Sequence, residues 1–438
     1  MRLFWKTIIL YLLLTIPYQS SAQSTTDSLL DAYFSIVNKD RVAAMQLAEK
    51  ALESACKTRD RHNEAVALEC LGVQHYYRGN YEEARKKLKA AEDLYRQENS
   101  ARGLASLYNN LGLLEQDLGN YSRALAYFSF ALVNDKALDE TVGRALTINN
   151  MGTVYLYKGA YAEARDCFRQ SLEAGKQAEN HEVIGNALNN LGLVHLETSV
   201  YDSALLFFSE ALNVASSHDD LYGLAIAQIN RGLAFSGLHL FDSASICFGR
   251  AIAAIESLQD PDLEMEYLIH YSEYALQIKN YPGALQSLLA AQKINNRLEQ
   301  KKKSAEIFRM MGTILARTQQ AEPAMAYLHM ARGIALSCGL LPELATTFGE
   351  LSLAHGLNGN YDSARFYQDK YANLKAQFFL NEPDTTLSLP SLAGVKTSKS
   401  LIGKIFLKII LVLIVFWGLI ILLLRLARKT SKSENITH

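Results

Sequence analysis

Pairs of asparagines recur along this chain at one fixed spacing. They share a register forty residues apart: Asn109 and Asn110, Asn149 and Asn150, Asn189 and Asn190, with Asn230 continuing the second column. A side-chain amide has both a donor and an acceptor, so a row of amides can hydrogen-bond the backbone of an extended peptide. The same amides could instead bond across neighbouring structural units and stiffen the stack. Both roles stay open here, and we take peptide binding as the working hypothesis.

Patterns for catalysis or metal binding are sparse. His75, His195 and His355 share one repeat position with aromatic or apolar residues of other copies, which favours helix packing over chemistry. The five cysteines have no paired short spacing, so they predict neither a metal site nor a disulfide framework. We find no phosphate-binding glycine loop, zinc motif or nucleophile elbow. The sequence therefore predicts no enzyme activity and no cofactor, and a net charge of −1 argues against a nucleic-acid partner.

The asparagines belong to a repeat that spans most of the chain. Eight anchors stand in one register: Leu71-Gly72, Leu111-Gly112, Met151-Gly152, Leu191-Gly192, Arg231-Gly232, Tyr271-Ser272, Met311-Gly312 and Leu351-Ser352. Ten residues after the start of each anchor comes an aromatic residue, except at Ala321, and thirteen residues after it comes alanine in every copy. A period of this length is typical of a solenoid, in which each unit must stack on its neighbours to bury its apolar face.

Each unit has the pattern of a helical hairpin. Apolar residues recur three and four apart over roughly Asn63–Arg78 and Tyr81–Arg96 in the first full copy. Several copies carry glycine in the break between the two segments, where a helix ends and the backbone needs a positive φ. The small Gly72 and its equivalents predict close approach of the two helices, with large side chains filling the space beside them.

These residues follow the order of a known repeat. Leu111-Gly112, Tyr121, Ala124, Phe128 and Ala131 match the pattern Leu-Gly, Tyr, Ala-x-x-x-Phe, Ala, so the chain resembles the tetratricopeptide repeat family. The unit has forty residues where the usual one has about 34, and it lacks the usual proline, as in the long-repeat branch. The resemblance covers roughly Asp31–Phe379. It implies an all-α, right-handed superhelix, which we place at residues 23–380 with eight to nine hairpins.

The resemblance also implies where a ligand would bind. In the family the first helices line a concave groove, and asparagines there bond the backbone of an extended peptide. The predicted site contains the asparagines named above together with Tyr77 and Tyr157. The lysines and arginines that clamp a C-terminal carboxylate in the family are replaced here by residues such as Glu69 and Asp117. We therefore expect an uncharged or mixed peptide segment.

Two groups of basic residues near the end of the array have no obvious partner in sequence. Lys301, Lys302 and Lys303 form a run between two units, and Arg309 and Arg317 lie eight residues apart on one predicted helix face. A near-neutral chain gives no reason to assign them to nucleic-acid binding. We expect all five side chains to be solvated.

The two ends of the chain have compositions of their own. Residues 1–22 resemble a secretory signal peptide that is cut before Gln23. A linker, residues 381–400, precedes the apolar segment 401–424, which predicts one transmembrane helix, and residues 425–438 would form a short cytoplasmic tail. We therefore expect an inner-membrane protein whose repeats are periplasmic.

This layout resembles the extracytoplasmic sensory half of Bacteroidota tetratricopeptide-repeat receptors. The resemblance implies a protein or peptide partner, with signal output through a separately encoded kinase or regulator. The alternative is a scaffold for envelope assembly that is tethered to the membrane.

Overall fold

The computed structural model describes residues 25–37 and 40–380, which all belong to a compact unit spanning Met1–Leu387. In this part of the chain all regular structure is helical. Helix α1 spans residues 25–36. The others are α2 Arg41–Thr58, α3 Arg61–Tyr77, α4 Tyr81–Gln97, α5 Ala101–Asp117, α6 Tyr121–Ala137, α7 Thr141–Tyr157, α8 Tyr161–Gln177, α9 His181–Glu197, α10 Tyr201–Ser217, α11 Leu221–Gly237, α12 Phe241–Leu258, α13 Pro261–Gln277, α14 Tyr281–Leu298, α15 Lys301–Arg317, α16 Ala321–Cys338, α17 Leu341–Leu357 and α18 Tyr361–Leu380. Successive helices pair into the predicted hairpins.

The helix boundaries follow from local chemistry. Side chains at the start of several first helices cap a free backbone N–H three residues on, as Asp60 does for Asn63 and Ser100 for Gly103. The turn after the first helix contains a residue of positive φ, and Gly79 takes this place with φ 71°. The predicted glycine turns are thereby confirmed.

Close packing inside each hairpin depends on the glycine of the anchor. A Cβ on Gly192 would lie 2.3 Å from a ring carbon of Phe208, and one on Gly112 would lie 2.5 Å from the ring of Phe128. Both rings are fully buried. The same pairing, sixteen residues apart, recurs in the other repeats with an anchor glycine, so the predicted close approach is confirmed.

Distant repeats also touch one another. We call α2–α6 the front of the array and α13–α18 the back. The rings of Tyr121 in α6 and Phe378 in α18 lie 5.5 Å apart with their planes at 60°. Beside them, a Cβ on Gly119 would meet Pro342 at 3.0 Å. The superhelix therefore brings its front against its back.

The structure corrects the membrane part of the predicted fold class. Among residues 25–37 and 40–380, none of the helices combines the length and apolar character needed to cross a membrane. Even α18, the longest at 20 residues, carries Asp362, Arg365 and Asp369, whereas a span needs about 20 mostly apolar residues. The all-α repeat solenoid stands, but the added transmembrane helix and the inner-membrane, periplasmic location are not supported. The segments 1–22, 381–400, 401–424 and 425–438 lie outside the described residues.

Candidate functional site

The first helices of the repeats line an inner cleft of about 660 Å³. Five of them, α3, α9, α11, α13 and α15, contribute side chains to it, and α2 adds Arg41. We call this space the interior cleft; its lining includes Tyr77, Asn186, Tyr222, Ile226, Met265 and Lys303. Tyr77 and Tyr222 are 39% and 52% exposed, so two aromatic rings face the space. The cleft thus combines aromatic, apolar and amide surface in one concavity.

The asparagine columns bond to one another across neighbouring repeats. Nδ2 of Asn190 donates to Oδ1 of Asn149 at 2.9 Å. Asn150 donates in the same way to Asn109, and Asn230 to Asn189, both at 3.3 Å. Each bond joins residues 41 apart, one repeat plus one residue. The stack-stiffening role that the sequence left open is therefore present in the structure.

These bonds leave part of each amide free for other contacts. An asparagine amide has two N–H donors and two acceptor lone pairs on its oxygen, whereas each contact between columns uses one donor and one lone pair. Asn109 also donates to the Ala105 carbonyl at 3.1 Å and to Thr147 Oγ1 at 2.9 Å, so only its oxygen keeps free capacity. Asn149, Asn150 and Asn190 are only partly buried, while Asn189 and Asn230 are each 7% exposed. Asn189 also lines a smaller hollow of about 240 Å³. Asn186 and Tyr222 line both this hollow and the interior cleft.

Asn110 has a different environment from the other asparagines. Its Nδ2 donates to the buried carboxylate of Glu69 at 2.8 Å, which also accepts from Ser106 at 2.6 Å and Tyr95 at 2.8 Å. Burial raises the pKa of Glu69 despite these three donors. Asn110 therefore satisfies a buried acid, which is a structural role.

The two predicted tyrosines lie at different places. The ring of Tyr77 lies under the guanidinium of Arg41, 3.7 Å from its centroid, at the edge of the interior cleft. Tyr157 is 57% exposed, yet burial among surrounding protein raises its phenol pKa, with Asp117 adding to the shift and Lys302 opposing it. Tyr157 therefore faces an inner space close to α15 and is not among the residues lining the cleft.

The predicted solvation of the basic residues in α15 is wrong for three of them. Lys302 Nζ lies 2.6 Å from Asp117 Oδ1, and Lys303 Nζ lies 2.5 Å from Glu266. Arg309 pairs with Glu343 at 2.8 Å. Burial opposes the charge on Lys303, but Glu306 and Glu266 outweigh it and raise its pKa. These partners lie up to 185 residues away in the chain, so no local pattern could have identified them.

A histidine missed by sequence reasoning belongs to the same network. His270 lies 3.3 Å from Glu266 and 3.1 Å from Glu273. Burial lowers its pKa, but hydrogen bonds to the two carboxylates outweigh burial and raise the value to about 10. By contrast, His195 stacks on Phe207 and His355 on Tyr367, both at 5.4 Å, which confirms the predicted packing role.

The remaining chemistry of the described residues is limited. Within residues 25–37 and 40–380, no group of three or more histidine, cysteine or acidic side chains could hold a metal ion. The five cysteines are free thiols. What the site offers is hydrogen-bonding amides, aromatic faces and paired charges.

Comparisons with known proteins agree with this fold. The tetratricopeptide repeat model matches residues 63–132 and 143–217. No curated protein matches the chain. Among solved structures, a Rap protein complexed with competence and sporulation factor is 14% identical with a TM-score of 0.57, covering 81% of this chain and 99% of that one. The Rap conjugation gene regulator of plasmid pLS20, in complex with the Phr* peptide, is 16% identical with a TM-score of 0.51, covering 65% of this chain and 77% of that one.

The family match falls on the repeats whose glycine, aromatic and alanine positions form the hairpin core. The likeness to the two solved structures, at identities this low, concerns the fold. Together with the forty-residue register and the paired helices, the family match shows that this chain contains tetratricopeptide repeats at residues 63–132 and 143–217.

Proposed function

We propose that this protein binds an extended peptide, or a peptide segment of a partner protein, on the concave face of its repeats. The observation that carries the proposal is the interior cleft, where the half-exposed rings of Tyr77 and Tyr222 stand beside the amide of Asn186. Clefts of this size and mixed character are typical ligand sites. A regulatory role, in which binding is passed to a separately encoded kinase or regulator, belongs to the same proposal.

The two solved structures with TM-scores above 0.5 support this proposal. One is a complex with competence and sporulation factor and the other a complex with the Phr* peptide. Because the likeness shows the fold alone, the site must be argued from this chain's own residues.

The charges of the cleft favour one kind of peptide. Its lining includes four acidic residues, Glu182, Asp260, Asp262 and Glu266, and two basic ones, Arg41 and Lys303. Both cations already pair with acids, Arg41 with Asp262 and Lys303 with Glu266. A free carboxylate would therefore be repelled, so we infer that the cleft takes an internal or uncharged segment.

The asparagine columns are the second part of the proposed site. The donors and lone pairs that Asn149, Asn150 and Asn190 do not use in their mutual contacts, and the remaining lone pair of Asn109, would bond the peptide backbone. Their mutual bonds hold the amides in fixed positions, which lowers the entropy lost when a peptide binds.

The test is selection of random heptapeptides against the full-length protein. Enriched peptides should bind Tyr222→Ala at least about tenfold more weakly, because aromatic anchors dominate such interfaces. The matched control is Tyr361→Ala, since Tyr361 is 75% exposed and lies outside the cleft lining. The Asn150→Ala, Asn190→Ala double variant should also bind more weakly. Equal binding by wild type, Tyr222→Ala and the double variant would remove the site from this face.

A further inference from the structure

Four polar contacts join the front of the array to its back. Arg41 lies 2.8 Å from Asp262 and Arg78 lies 3.6 Å from Glu299. Lys301 donates to Asn80 at 2.8 Å, and Lys302 pairs with Asp117 at 2.6 Å. The two sides of all four contacts are 185 to 221 residues apart in the chain. We call these four contacts the ionic clasp.

One contact of the ionic clasp, Arg41 with Asp262, forms part of the wall of the interior cleft. Arg41 and Tyr77 enter the cleft from the front, and Asp262 and Lys303 enter it from the back. Separating the front from the back at this point would widen the cleft along one side. The clasp is therefore placed to control how large a ligand can enter.

The strength of the clasp is that of a reversible contact. Two of the clasp pairs have one side chain open to water, Glu299 at 62% and Lys302 at 41% exposure, while Asp117 at 7% and Arg41 at 10% are largely buried. Water and salt weaken a pair that has an exposed partner. Nη1 of Arg41 is buried without a hydrogen-bond partner, and an unsatisfied buried donor opposes the closed state. Apolar side chains also join front and back, since Leu118 shares a buried core with Leu340 and Leu344, and Tyr121 shares another with Ala345 and Phe378. The polar contacts of the clasp lie outside these cores, so they can separate while the apolar contacts hold front and back together.

We propose that the ionic clasp is a gate on the cleft, which opens and closes while the repeats stay folded. The apolar contact of Tyr121 with Phe378 lies at the other end of the same junction and serves as the pivot. This inference rests on the proposed function only in taking a peptide as the ligand that the gate admits. The opening itself is a property of the chain alone.

A native thiol reports on the gate. Cys338 lies in a crevice of about 640 Å³ between front and back, together with Asn80, Leu118 and Lys301. Opening the clasp would expose this thiol to solvent. Cys56 is already exposed in α2 and lies outside the lining of this crevice, so it serves as an internal reference in the same molecule.

The experiment measures maleimide labelling of Cys338 and Cys56 in the full-length protein, each resolved by mass spectrometry. Lys302→Gln removes one clasp contact, and Asp117 keeps its bond from Tyr76 at 2.8 Å, so the fold should survive. The matched control is Lys57→Gln, which removes an exposed pair within α2. We expect Cys338 labelling to rise about three- to tenfold in Lys302→Gln and at high salt, with Cys56 unchanged and Lys57→Gln like wild type.

Three results would overturn the gate. Labelling of Cys338 that ignores both salt and Lys302→Gln would show that the clasp does not open. A parallel rise at the buried thiols of Cys70 and Cys247 would indicate general unfolding. Arg78→Gln, a milder change at a partly exposed pair, repeats the test against that outcome. A selected peptide that associates no faster with Lys302→Gln would show that opening does not limit entry. Because labelling needs no peptide, a failed peptide selection would count against the proposed function only. The labelling result would still decide whether the gate opens.

Discussion

The anchor glycines offer a test in which one substitution has opposite effects at two positions. Gly192 and Gly249 both lie inside helices, in α9 and α12. At Gly192 a Cβ would lie 2.3 Å from Phe208, whereas at Gly249 no atom lies within 4 Å. Replacement by alanine should therefore destabilise the protein at the first position and stabilise it at the second.

The magnitudes follow from two competing effects. Alanine gains about 1 kcal/mol over glycine in a helix interior, and nothing opposes this gain at Gly249. At Gly192 the ring of Phe208 is fully buried and cannot swing away, so overpacking should cost near the top of the usual range of about 1–3 kcal/mol. The expected net change is a loss of about 2 kcal/mol for Gly192→Ala and a gain of about 1 kcal/mol for Gly249→Ala.

The assay is urea unfolding of the full-length protein followed by far-ultraviolet circular dichroism. Because repeat arrays can unfold in stages, hydrogen exchange should locate the change, and faster exchange is expected in α9 and α10 of Gly192→Ala. A neutral or stabilised Gly192→Ala would refute the reasoning, since it would mean that the hairpin does not pack as tightly as the distance to Phe208 requires.

Three further outcomes follow from the polar contacts. Lys303→Met should lose about 2 kcal/mol in urea unfolding, because it removes the cation that the partly exposed carboxylates of Glu266 and Glu306 share, while Glu266 keeps its contact with His270. Stability equal to wild type would contradict this pairing. His270→Gln should lose most unfolding free energy relative to wild type below about pH 6.5, and this difference should shrink as pH rises towards 10. The reason is that a raised pKa in the folded state stabilises the protein only while the imidazole is charged. A difference independent of pH would rule out a charged His270. Asn190→Ala should cost about 1 kcal/mol of unfolding free energy through its lost bond to Asn149, and no loss would leave that contact without a structural role.

Features set within one repeat could be predicted from the sequence. The helix pair Arg61–Tyr77 and Tyr81–Gln97 agrees with the predicted segments to within two residues. The turn glycines and the close approach at Gly112 were also predictable, because each has a steric reason that acts locally. Positive φ at residues other than glycine could not be predicted, as at Asp139 with φ 57° and Lys279 with φ 60°. There the repeat imposes a turn that the residue type alone does not favour.

Features that depend on how repeats stack could be predicted only in part. The register of the asparagines was readable, but their partners depend on the one-residue offset between neighbouring first helices, which the sequence does not state. The environment of Lys302 could not be predicted from the sequence, because its partner Asp117 comes near only when the back of the array meets the front. A run of lysines is ordinarily expected to be solvated, but this expectation is wrong where acidic residues from other repeats pair with the lysines.

The 41-residue offset explains why the groove and the stack share side chains. Besides the asparagines, Tyr76 bonds Asp117 and Gln74 bonds Tyr33 across the same interval. Several side chains on the inner faces of first helices therefore have a partner in a neighbouring repeat before any ligand arrives. Each such bond both fixes the curvature of the superhelix and sets the position of a groove residue. Changes in the inner columns should consequently alter stability and binding together, whereas changes at the ionic clasp, where partners are distant in sequence, should alter access to the groove with little effect on the hairpins.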